Sequence, residues 1–191
     1  MKTSLSSFAR IAAVAALFGL GAGIAPTFAA GPVTVGGAPM YAEKNIVENA
    51  VNSKDHTTLV AAVKAAGLVE TLSGPGPFTV FAPVNAAFEA LPAGTVDSLL
   101  KPDMKDTLTK VLTYHVVAGT FSAADLMEKA KAMGGEVTLT TVEGAPITIR
   151  MEGSSLWVFD QSGKAAKITI ADVNQSNGVI HVIDKVLMMK M

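Results

Sequence analysis

The 191-residue chain contains no cysteine. This absence excludes disulfide bonds, thiol nucleophiles, thiolate metal ligands and the lipid-attachment cysteine of a bacterial lipoprotein. The fold must therefore be stabilised by its core alone, even if the chain reaches a compartment where disulfides could form. The product is expected to be free or non-covalently attached.

Histidine is also scarce, because the chain has only His56, His115 and His181. The sequence has no nucleophile elbow, no His-Glu-x-x-His pair and no carboxylate cluster. The glycine and proline run at residues 74–77 is a poor phosphate cradle, because proline has no N–H to donate. We therefore predict a protein that is not an enzyme and has no cofactor. A catalytic triad of distant residues stays open, since triads are recognised by geometry and not by order.

Candidate metal ligands are equally few. Methionine can bind soft copper, and Met188, Met189 and Met191 lie close together at the carboxyl terminus. They have no cysteine and no nearby histidine as partners, so they are more typical of core filler and an exposed end. We predict no metal site.

The amino terminus has the layout of a cleavable export signal. Lys2 and Arg10 flank a polar start, and residues 11–24 are wholly apolar or glycine. This run is shorter than the roughly 20 residues that cross a bilayer, so a permanent anchor is the less favoured alternative. Cleavage is predicted after Ala29, the last residue of the signal; cleavage after Ala30 is the alternative, but it would leave bulky Phe28 at a position where the peptidase requires a small side chain. The mature chain is expected to be exported to the periplasm, the cell surface or the medium, without a stable membrane span.

The mature chain has no excess of positive charge. Removal of the signal leaves 13 basic and 16 acidic residues, a net charge of about −3 with neutral histidines. No polybasic tract exists, which argues against nucleic acid and anionic lipid headgroups as main partners.

The mature chain has the length of one domain. Residues 30–43 are rich in glycine, proline and small side chains without a sustained period. This segment is predicted to be a flexible tail with little packing, followed by a single domain at residues 44–191.

Helical periodicity dominates the first half of this domain. Gly67 is placed to end the second predicted helix. Ser122 and Asp125 have the spacing of a capping box that opens a later helix. The other predicted helices contain Ile46, Val47 and Ala50; Leu59, Val60, Val63 and Ala66; residues 85–91; and Leu108, Val111 and Leu112.

Short β-type runs dominate the second half. The alternation of Ile147, Ile149 and Met151 with polar residues indicates a strand with one wet face. Helices that precede hairpins favour an α+β fold over alternating βαβ units. The predicted strands are residues 78–82, 137–142, 147–151, 156–159, 166–171 and 179–183.

The last of these runs, VIHVI, differs from the others. It has no polar alternation except at His181. It is therefore interpreted as an interior strand that is entered through an Asn177-Gly178 turn.

Four segments together resemble the fasciclin-like domain. Residues 78–88 (FTVFAPVNAAF) resemble its first signature, and residues 177–187 (NGVIHVIDKVL) resemble its second. Between them, residues 114–117 (YHVV) resemble the central Tyr-His segment, and residues 59–68 (LVAAVKAAGL) resemble the first helix. The resemblance covers residues 45–187. It implies an α+β fold in which a wedge of β-strands has several α-helices packed along one side.

Several signature residues have a structural interpretation. Asn85 is placed to cap the short helix after Pro83, with direct ligand contact as the alternative. His115 lies on a helical stripe and His181 lies within an apolar strand, so both are predicted to be buried with one good hydrogen-bond partner each. The structural signature residues are Phe81, Pro83, Asn85, Phe88, Asn177, Gly178, His181 and Asp184.

The resemblance implies binding and not catalysis, because family members mediate adhesion between cells or between cell and matrix. We expect a secreted or periplasmic adhesion domain that recognises a protein or polysaccharide partner at the cell surface or matrix. By resemblance to animal members, Tyr114, His115 and Val116 are the candidate partner contacts.

The alternative is a carrier of an apolar small molecule such as a carotenoid, since some fasciclin-like proteins bind such ligands. Half of the chain is hydrophobic, with one Trp and two Tyr, so apolar side chains could line a groove in place of a solid core. The signal contributes part of that half, which reduces the surplus.

Overall fold

The structure is a computed structural model that describes residues 32–189. The predicted signal peptide, residues 1–29, lies outside the described residues. The α-helices are α1 (Ile46–Ala50), α2 (Thr57–Ala66), α3 (Val69–Ser73), α4 (Asn85–Glu89), α5 (Thr95–Leu99), α6 (Lys105–Tyr114) and α7 (Ala123–Ala132), with 3₁₀ turns at Lys54–His56 and Pro102–Met104. The strands are β1 (Val33–Val35), β2 (Ala38–Met40), β3 (Phe78–Pro83), β4 (Val116–Ala118), β5 (Glu136–Thr140), β6 (Pro146–Glu152), β7 (Ser155–Phe159), β8 (Ala165–Gln175) and β9 (Gly178–Ile183).

Seven strands form one sheet in the order β4-β3-β9-β8-β7-β6-β5. Neighbouring strands are antiparallel except β3 and β9, which are parallel. The sheet nearly closes, because Val117 forms an isolated bridge with Thr141 and Val142 N donates to Val116 O at 2.7 Å. The predicted α+β class is confirmed.

The buried apolar residues form two clusters on opposite faces of strands β3 and β9. The first cluster joins helices α1 to α6 to one face of these strands, and it includes Phe88. The second cluster fills the curve of the sheet and is completed by α7. Because both faces of β3 and β9 are covered, these strands can be apolar at almost every position.

Two helix boundaries predicted from the sequence, the end of α2 and the start of α7, are confirmed. Gly67 ends α2 in the left-handed conformation, with φ of 74°. Ser122 Oγ accepts from Asp125 N at 3.1 Å, and Asp125 Oδ2 accepts from Ser122 N at 2.9 Å. This reciprocal pair satisfies two N–H groups that the first turn of α7 leaves free.

The flexible tail predicted at residues 30–43 is wrong for much of its length. Strands β1 and β2 form a hairpin around Gly36 and Gly37, both with positive φ. Val35 and Met40 are buried against the first core cluster. Asn49 fixes the end of the hairpin, since its side chain bonds Tyr41 N (3.0 Å) and Tyr41 O (2.7 Å).

Within the described residues, no helix is both long and apolar enough to span a membrane.

Candidate functional site

The two signature segments meet at the centre of the sheet. Residues 78–83 of β3 pair in parallel with residues 178–183 of β9. Phe81 lies directly opposite His181, and their rings stack with centroids 5.7 Å apart. Strand β9 lies between β3 and β8, so the predicted interior strand is confirmed.

His181 is fully buried and has two partners. Its Nε2 lies 2.8 Å from Phe121 O, and its Nδ1 accepts from Asp172 N at 3.3 Å. The neutral imidazole with its proton on Nε2 satisfies both contacts. Burial lowers the pKa of His181, although the Phe121 carbonyl and the nearby Asp172 oppose this effect. The predicted burial is confirmed, with one partner more than expected.

Tyr114 ends α6 with its side chain fully buried. Its hydroxyl donates to Pro146 O at 3.0 Å and accepts from Gln161 N at 3.1 Å. Burial raises the pKa of Tyr114. The hydroxyl therefore ties the helix to the start of β6 and to the loop after β7.

His115 follows directly and is also buried, at 3% exposure. Its Nδ1 lies 2.7 Å from Val111 O, and its Nε2 accepts from Leu187 N at 2.9 Å. These two contacts fix a neutral imidazole with its proton on Nδ1. Burial lowers the pKa of His115 to about 4, and the Val111 carbonyl and Asp160 only partly oppose this effect. His115 thereby anchors the segment that follows β9.

The three predicted partner contacts, Tyr114, His115 and Val116, are therefore all buried. Their side chains support the sheet edge and do not reach solvent. Partner contact in this region stays a prediction, and burial requires that it involve neighbouring surface residues. Among these neighbours, Ala118 and Val142 are exposed.

Asn85 has a structural role, but the predicted cap of its own helix is wrong. Helix α4 begins at Asn85 and has no side-chain cap. Asn85 Oδ1 instead accepts from Thr58 N at 3.0 Å and from Thr57 Oγ1 at 3.2 Å, and its Nδ2 donates to Lys54 O at 2.8 Å. Asn85 therefore accepts hydrogen bonds from the first residues of α2, whose own N-cap residue, His56, forms no side-chain cap.

Asn177 joins the second signature to the helical layer. Its Oδ1 accepts from Ile46 N at 3.0 Å, and its Nδ2 donates to Leu72 O at 2.8 Å and to Gly74 O at 3.0 Å. Its backbone carbonyl accepts from Phe78 N at 3.1 Å. One side chain thus holds α1 and α3 against the hairpin between β8 and β9.

The predicted Asn177-Gly178 turn is shifted by one residue. Gln175 pairs with Gly178, so Ser176 and Asn177 form the two-residue loop and Gly178 begins β9. Gly178 is required by close approach, because a Cβ there would overlap Phe78 O.

The remaining signature residues close the ends of the paired strands. Pro83 is the last residue of β3 and pairs with Ile183. Asp184 Oδ1 accepts from Lys167 N at 2.8 Å, and Asp184 N donates to Lys167 O at 3.2 Å. Asp184 therefore fixes β8 where β9 ends.

His56 is buried at 3% exposure, with Nδ1 2.9 Å from Ser53 Oγ. Its Nε2 has no hydrogen-bond partner among the described residues. Burial lowers the pKa of His56, although the Ala82 carbonyl and Asp55 oppose this effect. A different carboxylate acts on the pKa of each imidazole: Asp55 on His56, Asp160 on His115 and Asp172 on His181.

Residues 54–189, which include both paired signatures, match the family model of the fasciclin domain. The chain belongs to the fasciclin domain family. The predicted resemblance is thus confirmed.

Several relatives are similar to this fasciclin domain over most of their length. Protein sll1483 of Synechocystis is 46% identical over 195 residues, which cover 98% of each chain. The immunogenic protein MPB70 of Mycobacterium bovis is 34% identical and also covers 98% of each chain. The cell surface glycolipoprotein MPB83 of the same species is 34% identical over 88% of this chain and 71% of its own.

A solved structure supports the same fold. The FAS1 domain pair of the insect cell adhesion molecule fasciclin I is similar with a TM-score of 0.67 and 20% identity. The match covers 76% of this chain and 51% of that one, so this fasciclin domain spans about half of the pair. At this identity the likeness shows the fold alone.

One organising residue of the fasciclin domain was not predicted. Asp160 is buried, its Oδ1 accepts from Ser162 N, Ser162 Oγ and Lys164 N, and its Oδ2 accepts from Met188 N at 3.0 Å. The Asp-Gln-Ser-Gly sequence at residues 160–163 is a turn signal that could have revealed the first part of this role. The contact with Met188 is tertiary and leaves no local signal.

Two methionines near the carboxyl terminus pack against the core. Met188 packs on the first cluster and Met189 on the second, whereas Met191 lies outside the described residues. In residues 32–189, no three His, Asp or Glu side chains are arranged to hold a metal ion.

Proposed function

We propose that this fasciclin domain acts outside the cytoplasm as a non-catalytic adhesion module that binds a protein or polysaccharide partner. Family membership supports adhesion, since fasciclin I is named as a cell adhesion molecule. The relative MPB83 is named as a cell surface protein, which supports export. The predicted signal at residues 1–29 agrees with such a location.

The observation that carries this proposal is the use of His115 and His181 as internal supports. Each imidazole accepts a backbone N–H with one nitrogen and lies within 2.8 Å of a carbonyl with the other. A general base needs a free nitrogen within reach of its substrate, and these nitrogens are already occupied. This structural use of both signature histidines supports a binding role over acid–base catalysis by these two residues.

A bead-binding assay tests adhesion directly. Beads coated with the purified mature protein are expected to bind envelope or matrix material of the producer in a saturable manner, and free protein should compete. Beads coated with an unrelated protein of similar net charge are the control. Non-saturable binding equal to this control would overturn adhesion, and turnover of the bound material would contradict the non-catalytic part. Recovery of the native product only from the cytoplasm would contradict export.

Carriage of an apolar small molecule is the second candidate, and two adjoining cavities mark where such a ligand could enter the core. A cavity of about 40 Å³ lies between α1, α2, α3 and β3, and its accessible lining is apolar. A neighbouring cavity of about 30 Å³ shares Ile46, Ala50, Leu59 and Val80 with it. Together they are far smaller than the roughly 300–1,000 Å³ of typical ligand pockets. A carotenoid would therefore require the elements around these cavities to move apart.

A visible absorption spectrum tests carriage. If the second candidate holds, protein purified from its own producer will be coloured, because a bound polyene absorbs visible light. Ala50→Phe should abolish the colour, since the larger ring fills both cavities. Colourless native protein that also fails to shift the spectra of added pigments would rule this candidate out.

A further inference from the structure

An aromatic platform lies on the outer face of the sheet. Trp157 and Phe159 alternate along β7 with Leu156 and Val158, which are buried in the second cluster. Since side chains two residues apart share a face, the two rings lie side by side on the opposite surface. Both rings are partly exposed. Trp157 is the single tryptophan of the chain.

Two cationic side chains lie over these rings and cover part of their faces. The Arg150 guanidinium lies 4.5 Å from the centroid of Phe159, and the Lys167 ammonium lies 6.0 Å from that of Trp157. Arg150 also donates to Glu136 Oε2, with Nη2 at 2.7 Å and Nε at 3.1 Å. These contacts hold the long side chains along the sheet and over the rings.

The strand register arranges these groups in a row. Glu136, Arg150, Trp157 and Lys167 are consecutive cross-strand neighbours on β5, β6, β7 and β8. Glu152 is two residues from Arg150 and shares its face. The platform therefore has two positive and two negative side chains, and its net charge is zero.

A groove continues from one end of the platform. The pairing of β7 with β8 ends at Trp157 and Lys167, and β8 then runs on along β9. Where the strands diverge, a groove of about 380 Å³ is lined by Ser155, Lys167 and Thr169 and, on the α7 side, by apolar residues of the second cluster that include Ala123, Met127, Leu156 and Ile168. Its size falls within the roughly 300–1,000 Å³ of small-molecule sites, and Lys167 borders both the groove and the platform.

We propose that this platform and groove bind a neutral polysaccharide, an inference that rests on the proposed adhesion function. A pyranose ring has a C–H face that stacks on an aromatic ring and hydroxyl groups that both donate and accept hydrogen bonds. The platform offers the exposed parts of two adjacent rings, with guanidinium and ammonium donors and carboxylate acceptors around them. Its balanced charge creates no net field that would attract a charged polymer.

The chemistry of the platform favours a sugar over a protein partner. Protein interfaces are enriched in aromatic residues and Arg but depleted in Lys and Glu. Here the aromatic pair is bordered by Arg150, Lys167 and Glu136, so a protein would have to desolvate these charges on docking. A polysaccharide can leave them partly hydrated, because its hydroxyl groups replace water as hydrogen-bond partners.

Intrinsic fluorescence gives a direct test, because all tryptophan emission comes from Trp157. Purified protein is titrated with laminarin, hydroxyethyl cellulose, dextran and galactomannan, four neutral polysaccharides. At least one is expected to shift the emission in a saturable manner. Phe159→Ala retains the reporter and should bind that polysaccharide about tenfold more weakly, as expected for loss of one aromatic anchor.

Affinity electrophoresis extends the test to Trp157→Ala, which should lose retardation in a gel containing the same polysaccharide. Tyr41→Ala is the matched control. Tyr41 is 41% exposed, with the Lys44 ammonium 5.1 Å from its ring, and it lies outside the platform. This variant should bind normally, and circular dichroism should show that all variants are folded.

The outcomes separate this inference from the proposed function. No response to any of the four polysaccharides, tighter binding of dextran sulfate, or equal binding by Phe159→Ala would overturn the platform site. If saturable bead attachment persists in such a case, adhesion stands through another surface or a protein partner. If polysaccharide binding is found but coated beads do not attach, the platform stands and adhesion fails.

Discussion

Acidification from pH 7 to pH 4 is expected to destabilise the domain by several kcal/mol. His115 alone should contribute a loss of about 2 kcal/mol at pH 5 and about 3 kcal/mol by pH 4, from its pKa of about 4 in the fold and 6.5 when unfolded. His56 and His181 should add to this loss, because burial lowers the pKa of each.

The direction of this pH dependence follows from the protonation state of His115 that the folded and unfolded states each favour. The folded domain favours neutral His115, whose Nε2 accepts from Leu187 N. A proton on Nε2 would place a second N–H against that donor in a buried position. In the unfolded chain His115 binds a proton below its pKa of about 6.5, whereas in the folded chain it stays neutral until the pH falls to about 4. The stabilisation is therefore complete above about pH 6.5 and is lost as the pH falls towards 4.

Urea unfolding at pH 7, 6, 5 and 4, followed by tryptophan fluorescence, measures this dependence. His115→Gln is the control, because glutamine does not titrate and cannot satisfy both partners. It should be less stable at pH 7 but lose less stability between pH 7 and pH 4 than the wild type. Parallel pH profiles for the two proteins would contradict the assignment to His115.

Gly178→Ala is expected to destabilise the domain by about 3 kcal/mol. The added Cβ overlaps Phe78 O, so the first residues of β3 and β9 must separate. The same movement weakens the bond from Phe78 N to Asn177 O. Both faces of these strands are covered, so the core offers little room to relax.

A matched glycine substitution shows whether the overlap is the cause. A Cβ at Gly74 would approach Thr71 O only to 3.2 Å, and Gly74 has an ordinary φ of −67°. Gly74→Ala should therefore cost less than about 1 kcal/mol. Urea midpoints of the two variants are compared with that of the wild type. Similar losses for both would show that close approach at Gly178 is not decisive.

The main elements could be predicted where local and tertiary preferences agree. The runs at 78–82 and 179–183 are apolar at nearly every position, which is what two covered faces require. Their pairing could be expected only from the family resemblance. The capping box at Ser122 and Asp125 is local chemistry, and it forms as its spacing predicts.

The hairpin at residues 33–40 was missed because its glycines were interpreted as a linker. A Gly-Gly pair between two short apolar runs is also typical of a two-residue hairpin loop, because such loops require positive φ. What decides between these interpretations is tertiary. Val35 and Met40 are buried against the first core cluster, and three-residue strands have little stability of their own.

The candidate sites were harder to predict, because their contacts join distant parts of the chain. Asn85 accepts a hydrogen bond from the first residue of α2, which lies 28 residues earlier. The sequence around Asn85 predicts only a cap for the helix that follows it. Burial of Tyr114 depends on contacts with Pro146 and Gln161. The platform around Trp157 depends on the register of four strands, and a single sequence does not contain that register.

The near closure of the sheet should limit polymerisation of the protein at high local concentration. An open sheet edge presents unpaired N–H and C=O groups that recruit strands from other molecules and seed fibrils. Here the terminal strand β4 has only three residues, and Val116 and Val117 are already paired with residues 141 and 142. At high concentration, other copies would thus find little unpaired backbone on β4, and the side chains of the outer face would remain available to a partner.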